Sequence, residues 1–470
     1  MKAAVVIAAA ILLTATSFIA FAPFTEEQDP GCENTTKHVN LIFTSATVPV
    51  NQATLATWAG EDTTYLWYER TDTFSDISAL GEKYILVGDA GQRDVPGGPE
   101  RLGEMYKMAE IVKDLYKQDK NTTFTLYVTD YYLIVILIVF YENGIPEANF
   151  NVNLCEDGVG SYNTMRNFFS GGADDAAKTA LLDNKIEEVN GIVEQCIQGD
   201  HTTEQYVGAE NWTRSIALAA AKTNVTYWLQ DPVQLKSGSN AIPDVIYDRF
   251  DFAENASLNA LVEKLSCNET AFIEYREMMF GEEINNLFLP REDGKKPLVF
   301  TGAAFTGENK GFTLEAGEKS QFETAFNRII EEYGDEYFFV YKGHPRWDTL
   351  NGYGNAWLDG YEAEFYDRVA YLDSLGSQGL INILPYAMPM DMVLMFYPEL
   401  TLGGYSSSLY SVINQNTESE VKFFVTNTGH VLNLDPGLQV KYNDGDFMVN
   451  GKNPVFISPI TIGYPGFEGP

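Results

Sequence analysis

YFFVYKGHP, residues 337–345, is the stretch on which the fold reading turns. A hydrophobic, strand-like run from Tyr337 to Tyr341 breaks at Lys342 into a Gly-His-Pro turn. Similar segments surround it. Before it, KPLVFTGAAF (296–305) reads as a strand and loop and FETAFNRIIEEYG (322–334) as a helix stopped by glycine. After it come INILPY (381–386) as a strand, PMDMVLMFYP (389–398) as a short helix and LTLGGY (400–405) as a strand. SSSLYSVINQ (406–415) opens another helix, and VKFFVTN (421–427) is a further strand. Strands alternating with helices at this spacing predict a parallel sheet with helices on both faces.

The first half of the chain carries a second series of the same kind. KHVNLIFTSA (37–46), EKYILVGD (82–89), TFTLYVTD (123–130) and NFNVNL (149–154) are its strand-like runs. In RLGEMYKMAEIVKDLYKQ (101–118), Leu102, Met105, Met108, Ile111, Val112 and Leu115 recur at helical spacing. YYLIVILIVFYENG (131–144) is a continuous apolar run ended by Asn-Gly. It reads as a buried helix, because a membrane span needs roughly 20 apolar residues. Residues 165–290 read as mostly helical and charged, with a strand at DVIYDRFDF (244–252). The expectation is an α/β chain of two Rossmann-like domains across a cleft, 37–240 and 241–470, preceded by a leader (1–24) and a polar stem (25–36).

Composition narrows the function class. The 470 residues are 45% hydrophobic and 21% charged, which is globular. The 66 acidic residues against 31 basic ones give a net charge of −35. That excludes the basic footprint a nucleic-acid binder needs and fits a secreted or salt-tolerant surface. An anionic substrate must then be met by locally placed donors. The run from Ala3 to Phe24 carries no charge and ends near an Ala20-Phe21-Ala22 cleavage pattern, so it reads either as a signal peptide or as a membrane anchor. Both send the chain out of the cytoplasm, to a bacterial envelope or a eukaryotic secretory lumen. Six N-x-S/T sequons give this weak support. Four cysteines (Cys32, Cys155, Cys196, Cys267) are too few and scattered for a disulfide scaffold or zinc site, and leave room for one bridge.

Four polar clusters sit where strands end: Glu156-Asp157-Gly158, Gly302, His344-Pro345 and Ser406-Ser407-Ser408. Open parallel sheets bind ligands outside the carboxyl ends of their strands, so this shared position groups them. Glu156 and Asp157 leave a strand in opposite directions, so at most one of them faces the cleft. Neighbouring carboxylates raise one another's pKa, which suits a general base; an ordinary acidic turn is the plain alternative. Pro345 presses His344 into an extended conformation, Gly343 allows close approach and Lys342 supplies charge. A histidine there can serve a departing phosphate, or simply bond a loop carbonyl. The serines precede a helix and follow Gly403-Gly404, which suits a phosphate cradle as well as a plain cap. Asp444-Gly445-Asp446 reads as a turn rather than a metal site, and no H-E-x-x-H, G-x-S-x-G or Walker loop occurs.

Together, in this order, the motifs resemble the bacterial-type sialyltransferases of glycosyltransferase family 80, whose pattern runs Y-D-D-G, F-T-G-T-T-T-W, K-G-H-P and G-G-x-x-S-S-L-Y. The matching segments here are CEDG from Cys155, FTGAAFTG from Phe300, YKGHP from Tyr341 and GGYSSSLY from Gly403, and the likeness spans about 37–430. Related sialyl- and polysialyltransferase families share the acid-acid-Gly and His-Pro motifs. The resemblance implies a GT-B fold with an N-terminal acceptor domain and a C-terminal donor domain. It implies inverting, metal-independent transfer from CMP-sialic acid to a hydroxyl of an oligosaccharide, glycolipid or glycoprotein, with no further cofactor. It also implies that Glu156, the first acid, is the general base, with Asp157 beside it. His344 then serves the leaving CMP phosphate, Ser407 and Ser408 bind that phosphate, Asp391 holds the ribose and Gly302 approaches the cytosine. Lys342, Gly343 and Pro345 complete the donor loop. The chain departs from the pattern at Glu156 (for Asp), Cys155 (for Tyr) and the missing Trp around Ala303–Thr306, which bears on the acceptor and linkage. A transferase using another CMP-activated acid sugar such as Kdo, or a two-lobed extracytoplasmic solute-binding protein, would share parts of these features.

Overall fold

The computed structural model describes residues 37–69, 73–90, 99–199, 210–236, 241–301, 323–343 and 362–404, apart from 324, 325, 328, 332, 387 and 399. Four later strand segments, 421–424, 440–443, 446–449 and 455–457, are described as well. The expected leader and stem (1–36) lie outside these residues, as do Gly302, His344, Pro345, Ser407 and Ser408.

Two six-stranded parallel sheets organise the chain. The first contains β1 (His38–Thr44), β2 (Thr63–Tyr68), β3 (Ile85–Leu86), β4 (Thr123–Thr129), β5 (Phe150–Cys155) and β6 (Val225–Trp228), in the order β3-β2-β1-β4-β5-β6. Its helices include α1 (Thr47–Thr57), α2 (Ile77–Lys83), α3 (Pro99–Gln118), α4 (Leu133–Ile136), α5 (Val159–Ser170), α6 (Asp175–Gln198) and α7 (Asn211–Ala221). The second sheet contains β7 (Lys296–Thr301), β8 (Tyr337–Lys342), β9 (Ile381–Ile383), β10 (Thr401–Gly404), β11 (Val421–Phe424) and β14 (Val455–Ile457). Its order is β14-β11-β10-β7-β8-β9. β12 (Val440–Asn443) and β13 (Asp446–Val449) form a separate antiparallel pair in which Asn443 lies opposite Asp446; Asp444 and Gly445 lie outside the described residues.

Strands covered on both faces explain the continuous apolar runs. In β1, Val39, Leu41 and Phe43 enter the core cluster built with α3, α6 and α7, while Ile42 enters the cluster built with α1 on the other face. β8 repeats this two-residue alternation. Tyr337, Phe339 and Tyr341 pack against Phe326, Ile329 and the helix Glu362–Ser377, and Phe338 and Val340 point the other way. The helix that includes Phe326 and Ile329 and the short helix Met390–Phe396 lie where the sequence places them. The long apolar run forms α4 and continues as a π-helical turn, Leu137–Tyr141, with every residue from Leu133 to Tyr141 buried. Asn143 ends it by donating to the carbonyls of Val139 and Ala109, both at 3.0 Å.

Three features differ from the sequence expectation. β2 and β6 are strands, and Glu362–Ser377 a helix, that the patterns above do not signal. DVIYDRFDF is not a strand: Pro243 starts the short helix α8 (Asp244–Tyr247), and only Phe252 pairs, through a single bridge to Tyr227. Its alternating apolar residues are satisfied by packing Ile246 and Phe250 into the first core instead. Cys155, Cys196 and Cys267 are free thiols, so no bridge forms among the described cysteines. α9 (Leu258–Ser266) and α10 (Glu269–Asn286) lie between the sheets in sequence. Their apolar faces share one cluster with α1 of the first half and with Val299, Phe338 and Met390–Leu394 of the second. Among the described residues, no helix is long and apolar enough to cross a membrane.

Candidate active site at the strand ends

The strand order of each sheet reverses once. In the first sheet the reversal lies between β1 and β4, and in the second between β7 and β10. At such switch points, loops diverge and leave a crevice at the carboxyl ends of the strands. Ladder register shows which loops start together. Thr129 lies opposite Cys155, and Cys155 opposite Trp228, so Asp130, Glu156 and Leu229 leave one edge of the first sheet side by side. Thr301 lies opposite both Lys342 and Gly404, so the loops carrying Gly302, His344-Pro345 and Ser407-Ser408 leave adjacent strands of the second.

The acid-acid-Gly turn is the best-defined part. Gly158 adopts a φ of 57° and a ψ of −138°, a conformation in which an L side chain is strained, and this lets α5 begin directly after the acids. The Glu156 N–H donates to the carbonyl of Trp228 at 3.2 Å, and the Cys155 carbonyl accepts from the Asp130 N–H at 2.9 Å. The two acids then separate by environment. The Glu156 side chain is buried, at 1% exposure. Its Oε2 accepts from the Tyr162 hydroxyl at 2.9 Å and the Gln230 N–H at 2.6 Å, and its Oε1 from Gln230 Nε2 at 2.9 Å. Burial pushes its pKa up to about 8, against the pull of these donors. Asp157 stays partly exposed, and its N–H donates to Ser161 Oγ at 2.8 Å. One acid of the pair is therefore buried and the other partly exposed.

A third carboxylate, Asp130, lies beside them, fully buried at the end of β4. Its Oδ1 accepts from the Trp212 indole N–H at 2.7 Å and its Oδ2 from the Tyr227 hydroxyl at 2.6 Å. Burial raises its pKa to about 7, while the Ser161, Tyr227 and Trp212 donors act in the opposite direction.

On the second sheet, Lys342 closes β8 with its side chain buried at 5% exposure, and Gly343 follows it, also buried. Asp391 lies in the first turn of the helix Met390–Phe396. Burial lifts its pKa to about 6, and the charge of Lys342 pulls it back down. Its Oδ1 is buried and has no hydrogen-bond partner among the described residues. A buried, unpartnered carboxylate oxygen is costly and fits a hydroxyl supplied by a ligand.

Solved structures to which the chain is similar in fold include bacterial sialyltransferases. An α/β-galactoside α-2,3-sialyltransferase from the luminous marine bacterium Photobacterium phosphoreum superposes with a TM-score of 0.53 at 11% identity, over 85% of this chain and 94% of that one. The GT-B domain of a sialyltransferase from Photobacterium damselae gives 0.52 at 15% identity, over 85% and 95%. A sialyltransferase from Photobacterium damsela gives 0.52 at 16% identity, over 89% and 81%. The fold is GT-B. No protein-family model and no curated protein matches the chain.

In this GT-B chain the structure brings Glu156 and Asp157 together at one sheet edge, and Lys342, Gly343 and Asp391 together on the other sheet. Asp130, Tyr162, Trp212, Tyr227 and Gln230 complete the first group and belong to none of the sequence motifs. Asp130 carried a usable signal, since it directly follows the strand-like run TFTLYVT as Glu156 follows NFNVNLC. Gln230 follows the unrecognised strand β6, and Tyr162 lies on a helix face that only the fold turns toward the acid. Among the described residues, no group of three or more His, Cys, Asp or Glu side chains is placed to hold a metal.

Proposed function

We propose that the protein is an inverting sialyltransferase that moves sialic acid from CMP-sialic acid to a glycan hydroxyl without a metal, and that it belongs with the family 80 enzymes. The observation that carries the reading is the register of the second sheet. Thr301, Lys342 and Gly404 lie side by side, so the three loops that bear the nucleotide-binding motifs start from one edge. The GT-B fold and the buried Asp391 oxygen support it. In this reading Asp391 holds the ribose hydroxyls and Gly302 lies against the cytosine. Ser407, Ser408 and His344 take up the charge of the departing CMP phosphate, with the Lys342–Pro345 loop shaping their approach.

The two acids take different roles in this reading, and the base role passes from Glu156, where the resemblance puts it, to Asp157. Asp157, the partly exposed member, takes the acceptor hydroxyl proton as that oxygen attacks the anomeric carbon and the bond to the CMP phosphate breaks. Glu156, with both oxygens bonded inside the protein, holds the turn that presents Asp157. Donors preplaced at the leaving phosphate lower the barrier where charge develops.

The test is CMP release by the purified protein offered CMP-sialic acid, CMP-Kdo and UDP-sugars, with and without a glycan acceptor. CMP-sialic acid is expected to turn over, and Asp157→Asn and His344→Ala each to lower kcat by about 10²–10⁴. Turnover of CMP-Kdo alone would move the donor assignment to that sugar. Tight binding of a free sugar with no turnover of any donor would overturn the transferase reading.

A further inference from the structure

We propose that Tyr162 is a positioning residue that couples the buried acid Glu156 to the loop after β6, so that this loop and the acid-acid-Gly turn are set as one unit. Its kinetic consequence rests on the proposed transfer reaction; the geometry does not. Tyr162 lies in the first turn of α5, buried at 8% exposure. Its hydroxyl oxygen accepts the Asp231 N–H at 2.8 Å, and the same hydroxyl lies 2.9 Å from Glu156 Oε2. A backbone amide can only donate, so the one proton of the hydroxyl is left for the carboxylate. The joint therefore has a single direction, from the Asp231 amide through Tyr162 to Glu156.

Two consecutive amides, Gln230 and Asp231, are thus held by one acid, the first directly at 2.6 Å and the second through the tyrosine. One helical turn beyond Tyr162, the buried Arg166 donates to the Gln234 carbonyl at 2.7 Å. The next carbonyl, that of Leu235, accepts the Ile242 N–H at 2.8 Å. Between these anchors the chain is open to solvent, with Asp231 exposed and Val233 at 65% exposure. Three buried polar side chains, Glu156, Tyr162 and Arg166, are therefore committed to the backbone of one short exposed loop. Burying such groups is costly unless each is paired, and support of this kind suits a loop whose place beside a reacting group matters. By ladder register the loop leaves the sheet next to Glu156, so a shift in it reaches the turn that presents Asp157.

Two measurements on the full chain test this. Hydrogen exchange needs no substrate: in the unaltered protein the Asp231 amide is expected to be protected although its side chain is exposed. Tyr162→Phe, which removes one oxygen and keeps the ring, should speed exchange at Asp231 by about tenfold or more. Gln230, bonded to Glu156 directly, should change less, and the second sheet not at all. In CMP release with a glycan acceptor, Tyr162→Phe should lower kcat by about 10–100-fold, the scale of a small misplacement at a reacting group. The donor KM should stay within about twofold. Combined with Glu156→Gln, it should lose no more than the worse single variant, because both act through one joint. Unchanged protection of Asp231 in Tyr162→Phe overturns the proposal, and so do an unchanged kcat or losses that multiply in the double variant. Should Tyr162→Phe fail to fold, the unaltered protein still decides, since an unprotected Asp231 amide would by itself overturn the joint. If the unaltered protein releases no CMP from CMP-sialic acid, the transfer reading fails while the exchange result still decides the coupling.

Discussion

Glu156 shows how much a single side chain depends on what surrounds it. Its carboxyl ionises near 4.5 in the unfolded chain and near 8 in the folded one, and Asp130 moves from 3.8 to about 7. Between those values the folded state holds protons that the unfolded state has released. Their contribution to stability is therefore fully present below the unfolded pKa and is lost as pH rises through the folded one. Each group can contribute a slope of up to about 1.4 kcal/mol per pH unit within its window. Urea unfolding of the wild type and Glu156→Gln between pH 5 and 8 checks the sign. The wild type should lose stability relative to the variant as pH rises, and a gap that narrows in the other direction would show that burial does not dominate at this carboxyl.

At the scale of elements, α10 depends on one backbone conformation. Gly281 breaks it with φ 65° and ψ 170°, a region reserved for glycine. The break frees the carbonyls of Met278 and Met279, which accept the N–H groups of Asp76 at 3.0 Å and Ser75 at 3.1 Å. The same Asp76 caps α2 through its side chain, accepting from the Ala79 N–H at 2.9 Å. A continuous helix would use those carbonyls internally and leave the entry to α2 unpaired. An added Cβ has room, with Ser75 Cβ at 3.8 Å the nearest contact, so the penalty is conformational. Gly281→Ala is expected to lower stability by about 1–3 kcal/mol in denaturant titration; an unchanged midpoint would mean that the kink is not held against strain.

For the whole molecule, the question is whether two sheets make two folding units. The cluster around α9 and α10 answers that they share one. Tyr275 of α10 is fully buried, with its hydroxyl 2.8 Å from Thr54 Oγ1 of α1 and its ring edge-on to Trp58 and stacked on Phe396. α10 also reaches the second half through Asn285 and the Tyr397 hydroxyl. With no break in the core between the halves, heating should give a single calorimetric transition over both sheets. Tyr275→Ala, by opening a cavity on that shared surface, should lower its midpoint and cost about 3–5 kcal/mol. Two resolved transitions in the wild type would show that the cluster does not couple the halves.

The alternation of strands and helices, the motifs at strand ends and the helical face of α3 were all legible in the order of residues, because periodicity and turn chemistry are local. The two Rossmann-like sheets followed from them, while the GT-B class and the place of Asp391 came from the resemblance to the family 80 enzymes. β6 was not legible, since four residues within a helical region make too short a pattern, and neither was the helix at DVIYDRFDF, whose alternation mimics a strand. The difference between Glu156 and Asp157 could not be read either. Two adjacent acids carry the same functional group, and their order in the chain does not say which is enclosed. Only the fold brings Tyr162 from α5 and Gln230 from the end of β6 onto one of them, because burial and hydrogen bonding are set by residues far apart in the chain. The sequence by itself thus determined which residues could form a site, and the tertiary structure decided which of the acids is enclosed and which stays partly exposed.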